Sequence, residues 1–374
     1  MKILHLSKFY KPDPGGLELV VAQLAEGAAD AGHEVRVVAA TGSSWYRDPG
    51  SRVTVPPRQN VVVVRLPTYG VFWSQPLAPG YLAAARWPAD VVHLHHPHPL
   101  ADLAVLLGTR APIVITHHSD VRRQVLARPF YWPLTRKVVK RAHAVIVPTG
   151  SHIDVSRELH GFESKVRVIP FGVDVQRFAP NASLPRPTCF PKDRSEPVGL
   201  FVGRLVGYKG LHVLLDAIRD TDLKMVIVGS GPERGALESQ IERHGLKEQV
   251  ILAGEVLDKD LPSYYQAASY FVLPSVTRAE MFGIVLLEAM AMERPLITTA
   301  LDTGVREVIK PDVTGLEVPV GDVAELRRAM LRLASDEEFR QSLGQAGRRR
   351  VLERFTLDNM IAGHLELYRE VAGA

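Results

Sequence analysis

Thirteen short runs of β-branched and aliphatic residues punctuate this 374-residue chain, and nearly all are apolar from end to end. A strand that shows one face to water alternates polar and apolar residues. A strand without that alternation is covered on both faces. Strands of this kind belong to parallel sheets, where each pair needs a crossover and hence a helix-length segment between. In the first half the runs are Lys2–Ser7, Glu34–Ala40, Val61–Leu66, Val91–His95, Ile113–Thr116, Ala144–Pro148 and Val166–Pro170. Leu17–Gly32 (LELVVAQLAEGAADAG) has helical spacing and ends on a glycine suited to a C-cap.

Residues 181–196 (NASLPRPTCFPKDRSE) break this rhythm with three prolines and no periodicity, as a linker does. The rhythm then resumes with Val198–Val202, Met225–Val228, Val250–Ala253, Tyr270–Leu273, Leu296–Thr298 and Leu316–Val318. The pattern predicts two α/β domains, each a doubly wound, Rossmann-like parallel sheet, facing across a cleft at the carboxyl ends of their strands. The first spans 1–175, a linker 176–196, and the second 197–356. The amphipathic stretch Leu357–Val371, within 357–374, is expected to pack back on the first.

The hydrophobic fraction of 46% is ample for two cores. The apolar start Met1–Ser7 is too short for a signal peptide, and no run of 18 apolar residues could span a bilayer. The single cysteine, Cys189, fits a reducing compartment, so the cytoplasm is the expected location. Charge is uneven: residues 1–180 carry 21 Lys/Arg against 13 Asp/Glu, and residues 181–374 carry 24 against 28. A basic front half suits an anionic partner. Nucleic acid is not expected, because no nucleic-acid-binding motif accompanies the charge.

Three loops carry candidate chemistry. Glu280 to Glu288 (EMFGIVLLE) follows the strand ending in Leu273-Pro274-Ser275 and precedes a helix-like Val285–Met292. Glu280 then sits in a strand-to-helix loop and Glu288 about two turns into the helix, where it could accept from a ribose diol. The amides of Phe282, Gly283 and Ile284 could hold further oxygens. Taken alone, the two glutamates could be a solvated surface pair. Gly203 to Gly210 (GRLVGYKG) directly follows a buried strand, and Arg204 and Lys209 there could neutralise a departing diphosphate. Pro14-Gly15-Gly16 precedes the first helix, where Gly15 and Gly16 allow close approach of a phosphate.

Other clusters read more plainly. His93, His95, His96 and His98 invite a metal, but no nearby cysteine or paired acid completes a set, so polar lining near an acceptor is expected. Asp258-Lys259-Asp260 precedes a helix-like Leu261–Ala268 and is expected to N-cap it. Arg122–Arg141 holds seven basic residues, no acidic ones and the run Phe130-Tyr131-Trp132. It is either a solvated basic face or a patch for anionic lipid.

Along essentially its whole length the sequence resembles the retaining glycosyltransferases of family 4, which have the GT-B fold. The matching pieces come in family order: the Gly15-Gly16 loop, Thr116-His117-His118-Ser119, Phe171-Gly172-Val173-Asp174, Gly203-Arg204 with Lys209-Gly210, Val228-Gly229-Ser230-Gly231-Pro232, and Glu280 with Glu288. The resemblance implies that the first domain binds the acceptor and the second the nucleotide sugar. Arg204 and Lys209 would bind the donor diphosphate, Glu280 the donor sugar and Glu288 the ribose. Gly229 would line the donor site, and Gly254-Glu255-Val256 would lie beside the base. His118 matches the histidine that approaches the reacting centre, although His117 adjoins it and the sequence leaves open which ring reaches the site.

The resemblance also implies retention at the anomeric carbon, with no divalent metal and no cofactor beyond the nucleotide-sugar substrate. Met281 departs from the pattern, standing where a small residue or proline is more usual. The context Arg278 to Gly283, with Leu301-Asp302-Thr303-Gly304-Val305 downstream, looks most like bacterial polysaccharide mannosyl- and rhamnosyltransferases. That points to GDP-mannose or a GDP-deoxyhexose, a glycan or lipid-linked acceptor, and a cytoplasmic protein, peripheral at the inner face of the membrane if the basic segment binds lipid. A UDP-sugar donor, a sugar-nucleotide epimerase of the same fold and a non-catalytic sugar-nucleotide binder are the alternatives.

Overall fold

The computed structural model describes residues 1–13, 15–41, 61–72, 75–120 and 128–373. The chain divides into two compact units, residues 1–171 together with 357–374, and residues 172–356.

In the first unit the strands are β1 (Lys2–Leu6), β2 (Glu34–Ala40), β3 (Val61–Leu66), a small hairpin of β4 (Val71–Phe72) and β5 (Gln75–Pro76), then β6 (Val91–His96), β7 (Ile113–His117), β8 (Ala144–Val147) and β9 (Val166–Val168). Seven of them form one sheet in the order β3-β2-β1-β6-β7-β8-β9. Every pairing in it is parallel. Side chains alternate between its faces. Leu4, Leu6, Val92 and Leu94 join a core with Tyr81, Val105 and Val138, while Ile3, Val35, Val37 and Val91 join another with Val21, Ala25, Leu365 and Tyr368. Both faces are dry, which is why these strands read as unbroken apolar runs. The helix Leu357–Ala372 supplies part of the second core, although it follows the other unit in sequence.

The second unit is built from β10 (Val198–Val202), β11 (Lys224–Val228), β12 (Val250–Gly254), β13 (Tyr270–Leu273), β14 (Leu296–Thr299) and β15 (Gly315–Val318). Their order is β12-β11-β10-β13-β14-β15, again wholly parallel. Both sheets therefore run outward from the first strand and then reverse, leaving a switch point at β1/β6 and another at β10/β13. Parallel sheets of this winding take ligands at such points, beyond the carboxyl ends of the strands.

The segment expected as a linker has no helix or strand, yet it belongs to the second unit and is anchored there. Phe190 is buried, its ring 5.9 Å from that of Tyr264, and Gln266 accepts from the Asn181 amide at 3.1 Å. Prolines exclude regular structure from it, but apolar contacts still hold it. The helix Leu261–Ala267 begins after Asp260 as expected; however, the Asp260 side chain makes no capping bond, because a short 3-10 turn over Asp258–Asp260 places it in a helical conformation.

Candidate active site

At the β10/β13 switch point, the loops after the two strands are pressed together. Gly210 is left-handed, with φ +70°, and a Cβ there would stand 2.0 Å from the Pro274 carbonyl oxygen. The Val276 amide donates to the Tyr208 carbonyl at 2.8 Å. Gly229, after β11, is equally constrained: φ is +132° and a Cβ would meet the Gly203 oxygen at 2.0 Å. Only glycine tolerates both the torsion and the contact. This lacing brings Lys209 Nζ to 2.5 Å from Glu280 Oε2, to which Ser275 Oγ also donates at 3.0 Å. Lys209 and Glu280 are 8% and 7% exposed, so the pair is largely out of water. Burial opposes the charge on Lys209, but the Glu280 carboxylate outweighs it and raises the lysine pKa. Arg204, on the same loop, is exposed.

Glu288 lies in the helix Ile284–Ala291, whose N-cap Gly283 has φ +75°. As the fifth residue it stands in the second turn, short of the two full turns expected, because the first residues after Glu280 are loop and not helix. It is buried, and Tyr265 Oη donates to its Oε2 at 2.7 Å. Burial lifts the Glu288 carboxyl to about 7, a rise that the Tyr265 hydrogen bond only moderates. Phe282 turns inward, 3% exposed, edge-on to Phe355 at 6.3 Å. Its contribution at the loop surface is therefore its backbone. Met281, Gly283 and Ile284 are partly exposed, as is Val256 in the loop after β12.

In the first unit, Gly15 is the N-cap of the helix Gly16–Asp30 and both glycines are exposed; Pro14 lies outside the described residues. The Glu18 carboxylate folds over this helix start, its Oε2 2.0 Å from where a Gly15 Cβ would be. Burial raises the Glu18 pKa. The two adjacent histidines part company. His117 is fully buried, whereas His118 is partly exposed, stacks on Phe171 at 5.8 Å and has its Nε2 3.3 Å from His95 Nδ1. His95 Nε2 in turn meets His5 Nδ1 at 3.2 Å. Burial holds His118 and His95 well below the usual histidine range, so both rings are neutral.

The histidines of β6 and of the turn after it do not line an open surface. His93, His95, His96 and His98 are all wholly buried. Nor are they without an acid. His96 Nδ1 is 3.2 Å from Asp102, and its Nε2 is 3.1 Å from Glu158 Oε2. Asp102 is six residues further along, at the next helix, and Glu158 is brought in by the fold from beyond β8. Burial opposes charge on His96, but Asp102 and Glu158 outweigh it and lift the ring to about 9.

Residues 14–177 match the family profile described as "Glycosyltransferase Family 4", and residues 190–350 match "Glycosyl transferases group 1". The chain is 31% identical over 384 aligned positions to the O-antigen chain mannosyltransferase C of Escherichia coli, covering 98% of each. The chain belongs to glycosyltransferase family 4.

Another relative of this family 4 glycosyltransferase is the D-rhamnosyltransferase WbpZ of Pseudomonas aeruginosa, 33% identical, with 95% of this chain and 92% of that one covered. Among solved structures, the sucrose-phosphate synthase of Thermosynechococcus elongatus superposes with a TM-score of 0.85 at 24% identity, over 99% and 98% of the two chains. Anabaena HepE, solved in complex with UDP and glucose, gives 0.76 at 22%, over 98% and 99%. These likenesses show the GT-B fold.

Tyr265 and Ser275 are partners of the two glutamates that sequence patterning did not single out. Tyr265 leaves no local signal, since it meets Glu288 only through packing of one helix on another. In the basic segment, Arg122 to Ala127 and the side chains of residues 128–130 lie outside the described residues. Of the rest, Tyr131 is buried, Lys137 and Lys140 are exposed, and Arg136 and Arg141 donate to the carbonyls of His160 and of Leu106 and Thr109. Among the described residues, no helix is long and apolar enough to cross a membrane.

Proposed function

We propose that this family 4 glycosyltransferase moves a hexose from GDP-mannose or a GDP-deoxyhexose to a glycan or lipid-linked acceptor, with retention and without a divalent metal, in cell-surface polysaccharide or glycolipid synthesis. The observation that carries this reading is the buried Lys209–Glu280 pair at the second sheet's switch point. An ammonium and a carboxylate held together there are preorganised for the two halves of a sugar diphosphate. Lys209, with Arg204, takes the diphosphate as its negative charge develops, and Glu280 accepts from a sugar hydroxyl. Phe282, Gly283 and Ile284 offer amides, Glu288 accepts from the ribose, Val256 and Gly229 lie towards the nucleoside, and Met281 shapes the sugar pocket. Gly15, Gly16 and the neutral His118 belong to the acceptor-binding unit in this reading. The C1–O bond to the diphosphate breaks, the acceptor oxygen bonds C1 on the same face, and its proton leaves with the diphosphate. Two relatives named for mannosyl and D-rhamnosyl transfer support the donor class.

The test is nucleoside diphosphate release from a panel of GDP-, UDP- and ADP-sugars, with and without EDTA. Release from a GDP-hexose at an unchanged rate in EDTA is expected. Release from UDP-sugars alone, or a rate abolished by EDTA and restored by added magnesium or manganese, would sink the corresponding part. Lys137 and Lys140 are proposed to meet anionic lipid. Their replacement by glutamine should lower sedimentation with phosphatidylglycerol vesicles, and an unchanged bound fraction would dismiss that contact.

A further inference from the structure

We propose that His96, His117 and Glu158 form a binding site for a divalent transition metal, zinc by the chemistry of the set, with Asp120 as the fourth ligand. All four residues belong to the first unit.

The geometry comes from three separated pieces of chain. His96 ends β6, His117 ends the neighbouring β7, and Glu158 follows β8, so the fold alone assembles them. Glu158 Oε2 is 3.1 Å from His96 Nε2 and 3.1 Å from His117 Nε2, and the three ligating atoms all lie within 4.8 Å of one another. Asp120 Oδ1 is 3.6 Å from His117 Nε2. Ligands of a tetrahedral zinc at ~2.0–2.1 Å are about 3.3 Å apart, so a cation fits among the His96, His117 and Glu158 atoms after small shifts, and Asp120, which now accepts from Ser156 Oγ at 2.6 Å, turns in to complete the set.

The surroundings fit as well. A metal-bound imidazole needs its second nitrogen fixed, usually by a carboxylate, so that the ring presents a lone pair to the ion. His96 Nδ1 is held by Asp102, whose Oδ2 also accepts from Tyr131 Oη. His117 Nδ1 is held by His152 Nε2 at 2.8 Å. Side chains of His96 and His117 are 0% exposed, that of Glu158 4% and that of Asp120 10%. Three carboxylates thus converge on this interior, and a dication offsets their charge where three imidazoles alone offer only protons. Two imidazoles with carboxylates suit zinc better than the hard cations, which prefer all-oxygen shells. The site is closed, so the metal is structural. It fastens the ends of β6 and β7, next to the point where the His118 amide donates to the His96 carbonyl at 3.0 Å.

The experiment is elemental analysis of untagged protein, grown with zinc and dialysed, by inductively coupled plasma mass spectrometry. About one equivalent of zinc per chain is expected. His117→Gln and Glu158→Gln should each lose most of it, while His160→Gln, at an exposed histidine, keeps it. Should either site variant fail to fold, wild-type protein refolded with cobalt decides. Visible ligand-field absorption at one equivalent, displaced by zinc, supports the site. Metal-free wild type without such absorption, or variants that retain full zinc, overturns it. Neither readout needs a sugar donor, so failure here leaves the donor reading intact, and the reverse holds too.

Discussion

Glu288 is a carboxyl group whose burial sets it near the middle of the physiological range, and its pH behaviour follows from that. Its folded-state value of about 7 lies above the ordinary 4.5. A group raised in this way stabilises the fold fully below about pH 4.5 and loses that contribution as pH climbs through about 7. Glu288→Gln should therefore gain thermal stability over wild type as the pH is taken from about 5 to about 8. A gap between the two melting curves that does not change with pH would show that Glu288 is not the group responsible. In the proposed reading a ribose diol donates to the ionised form, so nucleoside diphosphate binding should tighten through the same range, and calorimetry would read it. The Lys209–Glu280 pair makes a different prediction. Lys209→Met leaves Glu280 buried and unpaired, at a cost of about 3–5 kcal/mol. Adding Glu280→Gln should recover much of that stability in denaturant titrations, yet transfer should stay lost in both variants. Of this site, the loops were legible in the sequence because glycines and charges directly after a buried strand are a local signal. The pairing itself was not, since Lys209 and Glu280 meet across 71 residues of chain. Glu158 was hidden from the β6 histidines for the same reason.

Among elements, the strands were the most legible part. Each of the thirteen apolar runs lies in one of the two parallel sheets, because burial on both faces removes polar residues from a strand whatever its neighbours. The hairpin of β4 and β5, only two residues a side, was not read, since two residues cannot show a period. Nor did the sequence reveal that residues 176–196 are fastened down, because Phe190 and Asn181 act singly and not in a pattern. The loops between strands carry the sharper test. Gly210→Ala combines a left-handed torsion with a clash against the Pro274 carbonyl, and should cost more than about 1 kcal/mol. It should also weaken nucleoside diphosphate binding, because the loop that aims Lys209 must move. Gly235→Ala is the control: a Cβ there meets nothing within 4 Å, and the helix Arg234–Arg243 should be unharmed or firmer. Equal effects of the two changes in chemical denaturation would mean that the lacing of these loops carries no strain on substitution.

At the scale of the whole molecule, the first unit is discontinuous. Its sheet is covered on one face partly by Leu365, Leu367 and Tyr368, and Tyr368 Oη lies 2.5 Å from His93 Nδ1. The helix that carries them also sits tightly on the first helix, where a Cβ at Gly27 would stand 2.2 Å from Ile361 Cδ1. Gly27→Val should therefore destabilise the first unit, and Ile361→Ala should rescue it. Hydrogen exchange would see both changes in residues of the first sheet and neither in the second; equal exchange in both sheets would contradict the division. The same discontinuity matters while the chain is being made. A ribosome adding ~5–20 residues per second completes the whole second unit, over roughly ten to forty seconds, before residues 357–372 exist. Throughout that interval the first sheet waits with part of one apolar face uncovered, so the part of the enzyme synthesised first is the last that can be finished.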